Sequence, residues 1–271
     1  MTSEARDAAL LGGQPLKLFR FTRANLSWFY TNADRAITYN GDTYLPTAIS
    51  HDKIKDGGDS QQRTIKISLP KDLEVAANWR PYPPADPIMV TIWTQHVGEV
   101  DYLVDWIGRL TSPQFDDTKL ILSSEPSQTR NKRGGRSRIW QRPCDLVLFS
   151  QGNGLCNVDR AAHALPATLT AVDGLSLTAA EFANVPNGRL AGGWIEWPRS
   201  DGLIERRSIN SHSGTTIVVT YGAADLAPNL AVTAYPGCSG SWADCAYFNN
   251  TPNFGGELWI PGRDYYDGNP I

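Results

Sequence analysis

Residues 63–69 read Arg63-Thr64-Ile65-Lys66-Ile67-Ser68-Leu69, apolar and polar in strict alternation. In an extended chain successive side chains point to opposite faces, so Ile65, Ile67 and Leu69 share one face and the stretch predicts a half-buried antiparallel strand. The same period extends outward in both directions. Upstream, Leu16 and Leu18 and then Trp28-Phe29-Tyr30 form strand-like runs. Ile37 and Tyr39 lead into Asn40-Gly41, the strongest short turn signal, with Tyr44 on the returning side of a hairpin. Downstream, the proline-rich residues 79–87 read as a connection, and residues 88–94, 100–110 and 120–123 predict three more strands, with Gly108 permitting a bend or bulge. Residues 3–11 predict a short helix ended by Gly12-Gly13. Together these make an N-terminal β domain over residues 1–126.

Residues 127–142 carry six basic residues and no acidic one, which marks a linker; the sharper reading is that some of its arginines face an anionic neighbour. Residues 143–271 then form a second β domain. Here residues 167–172 turn at Asp173-Gly174 into residues 176–178. Residues 192–197 turn at Asp201-Gly202 into residues 203–209, and Ser213-Gly214 leads into residues 215–221. Residues 243–248 predict one helical turn. With 24 Gly, 18 Pro, 9 Trp, 10 Tyr and 8 Phe, turns between short strands dominate. The expected fold is mainly β: two barrel-like or sandwich-like domains, few short helices, and a cysteine-bound cluster in the second.

The net charge of -3 provides no general attraction for nucleic acid or acidic lipid, so no stable nucleic-acid binding is expected. The N-terminus lacks the pattern of a secretory signal and no stretch is long and apolar enough to span a membrane, so folding in a cytoplasm is expected. There thiols stay reduced, and four cysteines point to metal before disulfides.

Those cysteines form two pairs: Cys144 and Cys156 with eleven residues between them, Cys238 and Cys245 with six. Catalysis is disfavoured by the surrounding motifs. Around Cys238 the chain reads Gly237-Cys238-Ser239-Gly240-Ser241, but a cysteine protease of the type this resembles needs a downstream histidine, and His51, His96, His163 and His212 all lie upstream. The histidines are isolated, Asp116-Asp117 reads as a polar turn, and neither a glycine-rich nucleotide loop nor a Walker lysine is present. Structural zinc prefers two to four residues between paired cysteines, and the wider loops here suit a bulkier four-thiolate iron-sulfur cluster. Zinc, two disulfides and four unconnected cysteines stay open on spacing alone.

Cys238 through Cys245, followed by Phe248-Asn249-Asn250, Asn253-Phe254-Gly255-Gly256 and Ile260-Pro261-Gly262-Arg263-Asp264, resembles the C-terminal domain of the tail-tip, or baseplate, hub proteins of long-tailed phages and gene transfer agents. Trp140, Cys144 and Cys156 resemble the other half of that pattern, and the N-terminal domain resembles its partner domain. The resemblance implies a non-enzymatic virion protein at the tail tip, assembled in the bacterial host cytoplasm. It also implies a homotrimer between the distal tail protein and a central tail fibre or receptor-binding protein, with a tail-associated peptidase as a further neighbour. A 4Fe-4S cluster would fall on Cys144, Cys156, Cys238 and Cys245, with Arg136, Arg138 and Arg142 as counter-charges.

Overall fold

The computed structural model describes residues 15–54, 64–96, 101–127, 140–200 and 202–260. The helix expected over residues 3–11 lies outside them, as do Arg136 and Arg138. With 42% of the chain in strands and 11% helical, the protein is mainly β, its strands in two sheets of which one is a half-barrel. The chain divides into two compact units, Met1–Gly134 and Gly135–Ile271.

In the first unit the strands are β1 (Leu16–Arg23), β2 (Leu26–Thr31), β3 (Ile37–Tyr39), β4 (Asp42–Pro46), β5 (Ser50–His51), β6 (Ile65–Pro70), β7 (Met89–Gln95), β8 (Leu103–Phe115) and β9 (Lys119–Pro126). They lie in the order β3-β4-β2-β1-β7-β8-β9-β6-β5. The alternation in β6 does what its period requires: Ile65, Ile67 and Leu69 are buried and Lys66 is exposed. They join Phe19, Phe21, Val90, Ile92, Leu120 and Leu122 in one core. Asn40 and Gly41 both take positive φ, 52° and 88°, the geometry that lets a two-residue turn follow the strand twist. The β1–β2 hairpin turns through Ala24, at φ 49°, a left-handed alanine that no turn motif announces.

Gly108 acts differently from the expected bulge. The register of β8 shifts between Ile92 and Trp93 of its partner β7, and again between Leu110 and Ser112 against β9. At Gly108 itself a Cβ would stand 2.4 Å from the Ser124 hydroxyl and 2.5 Å from the Glu125 carbonyl oxygen. The residue is small so that β9 can approach.

One titratable group in this unit is set against the fold. Lys17 Nζ donates to His51 Nε2 at 2.6 Å and lies 3.6 Å from Asp105 Oδ2, while His51 Nδ1 lies 2.6 Å from the Asp52 carbonyl oxygen. Nε2 therefore accepts and Nδ1 carries the proton, which is the neutral ring. Burial first, then the Lys17 ammonium, hold the imidazole below its ordinary pKa of 6.5. The unfolded chain thus takes up a proton at His51 more readily than the folded one, so stability is full above the unfolded value and falls as the pH drops through it. Between about pH 7.5 and about pH 5.5 the unfolding midpoint of the first unit is expected to fall more steeply in the natural chain than in His51→Gln, measured by thermal denaturation. Parallel curves would remove His51 as the cause.

In the second unit the strands are β10 (Leu165–Thr168), β11 (Ala171–Asp173), β12 (Ser176–Thr178), β13 (Trp194–Pro198), β14 (Ile204–Ser213), β15 (Thr216–Val219) and β16 (Ala231–Tyr235), followed by helix α1 (Trp242–Tyr247). The order is β10-β16-β13-β14-β15-β12-β11. The run expected over residues 167–172 is two strands. Its halves pair with β16 and with β12, because Leu169 N–H turns to the Leu230 carbonyl at 3.0 Å and Thr170 N–H to the Thr178 carbonyl at 2.8 Å. Those halves are the two edges of the sheet, so consecutive residues join its edges and the sheet must bend round its core. That core holds Leu177, Phe182, Leu190, Ile195, Trp197 and Ile209. Trp197 donates its indole N–H to Asp225 Oδ2 at 2.8 Å. Glu205 and Arg207 occupy inward positions of β14 and pair with one another, with Arg199 Nη1 donating to Glu205 Oε2 at 2.9 Å.

Candidate functional site

All four cysteines are free thiols, and each stands on a different short segment of the second unit. Cys144 follows Pro143 on an irregular stretch held from both sides. Its N–H donates to the Gly240 carbonyl at 2.7 Å, and the Glu257 N–H donates to the Gln141 carbonyl at 2.8 Å. Gly240 has φ +75°, and a Cβ there would stand 2.7 Å from the Cys144 carbonyl oxygen; one at Gly256 would stand 2.3 Å from that of Arg142. Backbone runs against backbone at both points, and only glycine permits it.

Cys156 closes a tight loop. Ser150 accepts from the Asn157 N–H at its carbonyl, 2.7 Å, and from the Cys156 N–H at its hydroxyl, 3.3 Å, while Asn157 Oδ1 accepts from the Gly152 N–H at 2.8 Å. Cys238 leaves β16 through Gly237, whose N–H donates to the Arg189 carbonyl at 3.1 Å. Gly193 and Gly237 face each other there: a Cβ on Gly193 would lie 2.0 Å from the Tyr235 carbonyl oxygen and one on Gly237 2.0 Å from that of Ala191. Cys245 sits inside α1, which Ser241 caps by accepting from the Asp244 N–H at 3.1 Å.

Burial first, and then the neighbouring Cys144, Cys156 and Cys238, push the Cys245 thiol up to about 11. Burial also raises Cys238, against the pull of the Gly240 N–H, with Asp244, Cys144 and Cys156 adding to the rise. Thiols that repel one another as thiolates accept a cation in place of their protons. Three of them face N–H donors. Gly255 N is 3.3 Å from Cys144 Sγ, Gly240 N is 3.4 Å from Cys238 Sγ, and Asn250 Nδ2 is 3.6 Å from Cys156 Sγ. Cys245 Sγ instead donates to the Asn250 carbonyl at 3.2 Å.

Among the described residues no group of three or more His, Cys, Asp or Glu side chains is arranged to hold a metal ion. The thiols are thus within electrostatic reach of each other but not gathered around one point. Four thiols with N–H donors on three of them match an iron-sulfur cluster in donor chemistry. Around them Cys156, Val158 and Phe248 form a small core of their own against Leu146, Leu148 and Phe149.

Three residues to which sequence reasoning assigned no role organise the site. Asn250 is buried between Cys156 and Cys245. Asp244 accepts from the Ser239 N–H at 2.6 Å and pairs with Arg189. Burial alone would raise the Asp244 carboxyl, but the Ser239 hydrogen bonds and the Arg189 guanidinium hold it below its ordinary value. Arg189 also lies over the Tyr247 ring, 4.4 Å from its centroid. The Ser241-to-Asp244 spacing of a helix cap was a usable signal for Asp244. Arg189 had none, since it reaches Asp244 across 55 residues. Arg142, expected as a counter-charge, is exposed. Of the histidines, His163 stacks edge-on against Phe248 at 4.9 Å and buried His212 bonds the carbonyls of Phe182 and Gly214 at 3.2 and 2.9 Å.

Residues 188–264 match the family described as "Phage conserved hypothetical protein BR0599". That span contains Arg189, Gly193, Gly237, Cys238, Asp244, Cys245 and Asn250, but neither Cys144 nor Cys156. The chain is 30% identical over 197 residues to an uncharacterized protein of Xylella fastidiosa (strain 9a5c), covering 68% of this chain and 41% of that one. It therefore spans less than half the length of the curated relative it matches. Its fold is similar to that of a chain in the solved structure "Virion of native gene transfer agent (GTA) particle", with a TM-score of 0.77 at 18% identity over 100% of this chain and 96% of the other. At that identity the likeness is one of fold.

Proposed function

We propose that the chain is a virion structural protein of the distal tail, or baseplate, hub of a long-tailed phage or phage-like particle. In this reading it joins the end of the tail tube to the central receptor-binding protein, as a homotrimer beneath the distal tail protein. The observation that carries the reading is the extent of the fold likeness, which runs through both units and over 100% of this chain and 96% of a chain of a gene transfer agent virion. The phage family matched by residues 188–264 points the same way. The role is one of assembly, without a catalytic step.

Cys144, Cys156, Cys238 and Cys245 would hold a 4Fe-4S cluster, which supplies a cross-link among the segments that carry them. The chain's own contribution is geometric and electrostatic. The glycine contacts at 240 and 256 bring the Cys144 segment between the two halves of the C-terminal loop. The Gly255, Gly240 and Asn250 N–H groups neutralise sulfur charge, and Phe248 and Val158 shield Cys156 from water, while Cys238 is exposed.

Anaerobic purification followed by iron, sulfide and zinc analysis tests the cofactor. About four irons and four sulfides per chain are expected of a cluster held by four thiolates; zinc alone, or a metal-free folded chain, overturns it. Particles produced without the chain test the hub: finished, infective tails would end that reading. A second reading, carbohydrate or receptor binding, is favoured by Trp140 and Trp259, 84% and 91% exposed in the unit that carries the cysteines. Glycan binding by the isolated protein, abolished in Trp259→Ala, would favour it.

A further inference from the structure

We infer that Asn250 is a positioning residue of the cysteine site, a clasp that joins the Cys156 loop to helix α1 and supplies the Cys156 sulfur with its hydrogen-bond donor. The inference rests on the cluster reading above and extends it to a residue that is not a ligand.

Asn250 is a polar side chain only 8% exposed. A buried amide without partners is costly, and this one has a partner on both its nitrogen and its oxygen. Its N–H donates to the Cys245 carbonyl at 3.0 Å, and its own carbonyl accepts from Cys245 Sγ at 3.2 Å and from the Asn253 N–H at 3.0 Å. Its Nδ2 donates to the Cys156 carbonyl at 2.5 Å and lies 3.6 Å from Cys156 Sγ. Its Oδ1 accepts from Asn253 Nδ2 at 2.7 Å. The orientation of the amide follows from these partners. A carbonyl oxygen only accepts, so the atom beside Cys156 O is the nitrogen, and Asn253 occupies the oxygen.

One residue therefore joins two cysteines: its side chain holds Cys156, 94 residues upstream, and its backbone holds Cys245. The three thiols with N–H donors are also not equivalent. Cys144 and Cys238 receive theirs from glycine backbone, which no substitution of a side chain removes. Cys156 alone depends on a side chain, which makes its donor the one that can be deleted cleanly. An N–H donor draws charge from a ligand sulfur and favours the more reduced cluster, so its loss moves the midpoint potential to more negative values.

The test uses Asn250→Asp, which keeps the shape but turns an acceptor toward Cys156, Asn250→Ala, and Asn253→Ala, which frees the amide to rotate. Circular dichroism establishes that each is folded. In the cofactor-free reduced chain, alkylation by iodoacetamide is followed at each cysteine by mass spectrometry. Asn250→Ala is expected to accelerate Cys156 by about tenfold, as for loss of a group that orients a ligand, and to leave Cys238 and Cys245 unchanged, because residue 250 holds Cys245 through its backbone. In the loaded chain, Asn250→Asp is expected to show a more negative midpoint potential and cluster loss to a chelator faster by about 10- to 100-fold, with Asn253→Ala intermediate. A natural potential in Asn250→Asp overturns the inference even if alkylation changes, because a purely structural clasp would leave the sulfur electronically untouched. Unchanged alkylation overturns it too. Should the natural chain bind no iron, the cluster reading fails at that point, and the alkylation pattern alone upholds or overturns the clasp.

Discussion

Cys156→Ser is expected to strip the protein of bound iron and to lower the stability of the second unit by about 3–5 kcal/mol, the range for losing a cross-link that closes a long loop. The argument is topological. In the proposed site Cys144 and Cys245 stand at the two ends of the unit's strands, with Cys156 and Cys238 just inside them, so the cross-link closes nearly the whole length of β10 to β16. Cys156 is 9% exposed and belongs to the small core with Val158 and Phe248, so the variant also loses a buried contact. Hydrogen exchange read separately over residues 16–126 and 165–235 measures the effect. Protection is expected to drop in the second span and stay unchanged in the first, because the chain divides into two compact units. Natural iron content in the variant, or equal protection in both spans, would contradict a cross-linking role.

Gly237→Ala is expected to be nearly as damaging without touching a sulfur. The added Cβ would stand 2.0 Å from the Ala191 carbonyl oxygen and 2.7 Å from both Gly192 C and Gly193 N. All three are backbone atoms that cannot rotate aside, so the segment leaving β16 must move away from the one entering β13. Overpacking of this kind costs about 1–3 kcal/mol or more. The displaced residue precedes Cys238, and the Gly237 N–H bond to Arg189 goes with it, which disturbs the Arg189–Asp244 pair on α1. Iron per chain is therefore expected to fall in proportion to the misplacement. Gly188→Ala serves as the comparison, since a Cβ there meets nothing within 4 Å and only its φ of +83° opposes the change. A Gly237→Ala protein with natural iron content and a natural melting temperature would mean that the close approach is not needed to deliver Cys238.

Much of the architecture was already legible in local pattern. The alternation at Ile65, Ile67 and Leu69, the Asn40-Gly41 turn and the hairpins at Asp201-Gly202 and Ser213-Gly214 all depend on residues within a few positions of one another. Side-chain period and allowed φ are enough to read them. The mainly β class follows from the same local rules, and so does the single turn of helix around Cys245. The four cysteines could be singled out from the sequence, but not the N–H donors that face three of them.

Whatever depends on partners distant in the chain was not readable. The local pattern says that residues 167–172 are extended, but not that the run breaks at Leu169 and sends its halves to opposite edges of a sheet. Glu205 and Arg207 look like ordinary surface charges until β14 turns them inward, where each satisfies the other. Gly108, Gly193 and Gly237 carry no mark that separates a glycine needed for a turn from one needed so that another strand can approach. Asn250 is one asparagine among several until closure of the second unit brings Cys156, 94 residues upstream, against its amide. A hydrogen bond or a van der Waals contact acts over a few ångströms of space, and the spatial neighbour of a residue is set by the whole chain's path, whereas period and turn chemistry are properties of the backbone at that residue.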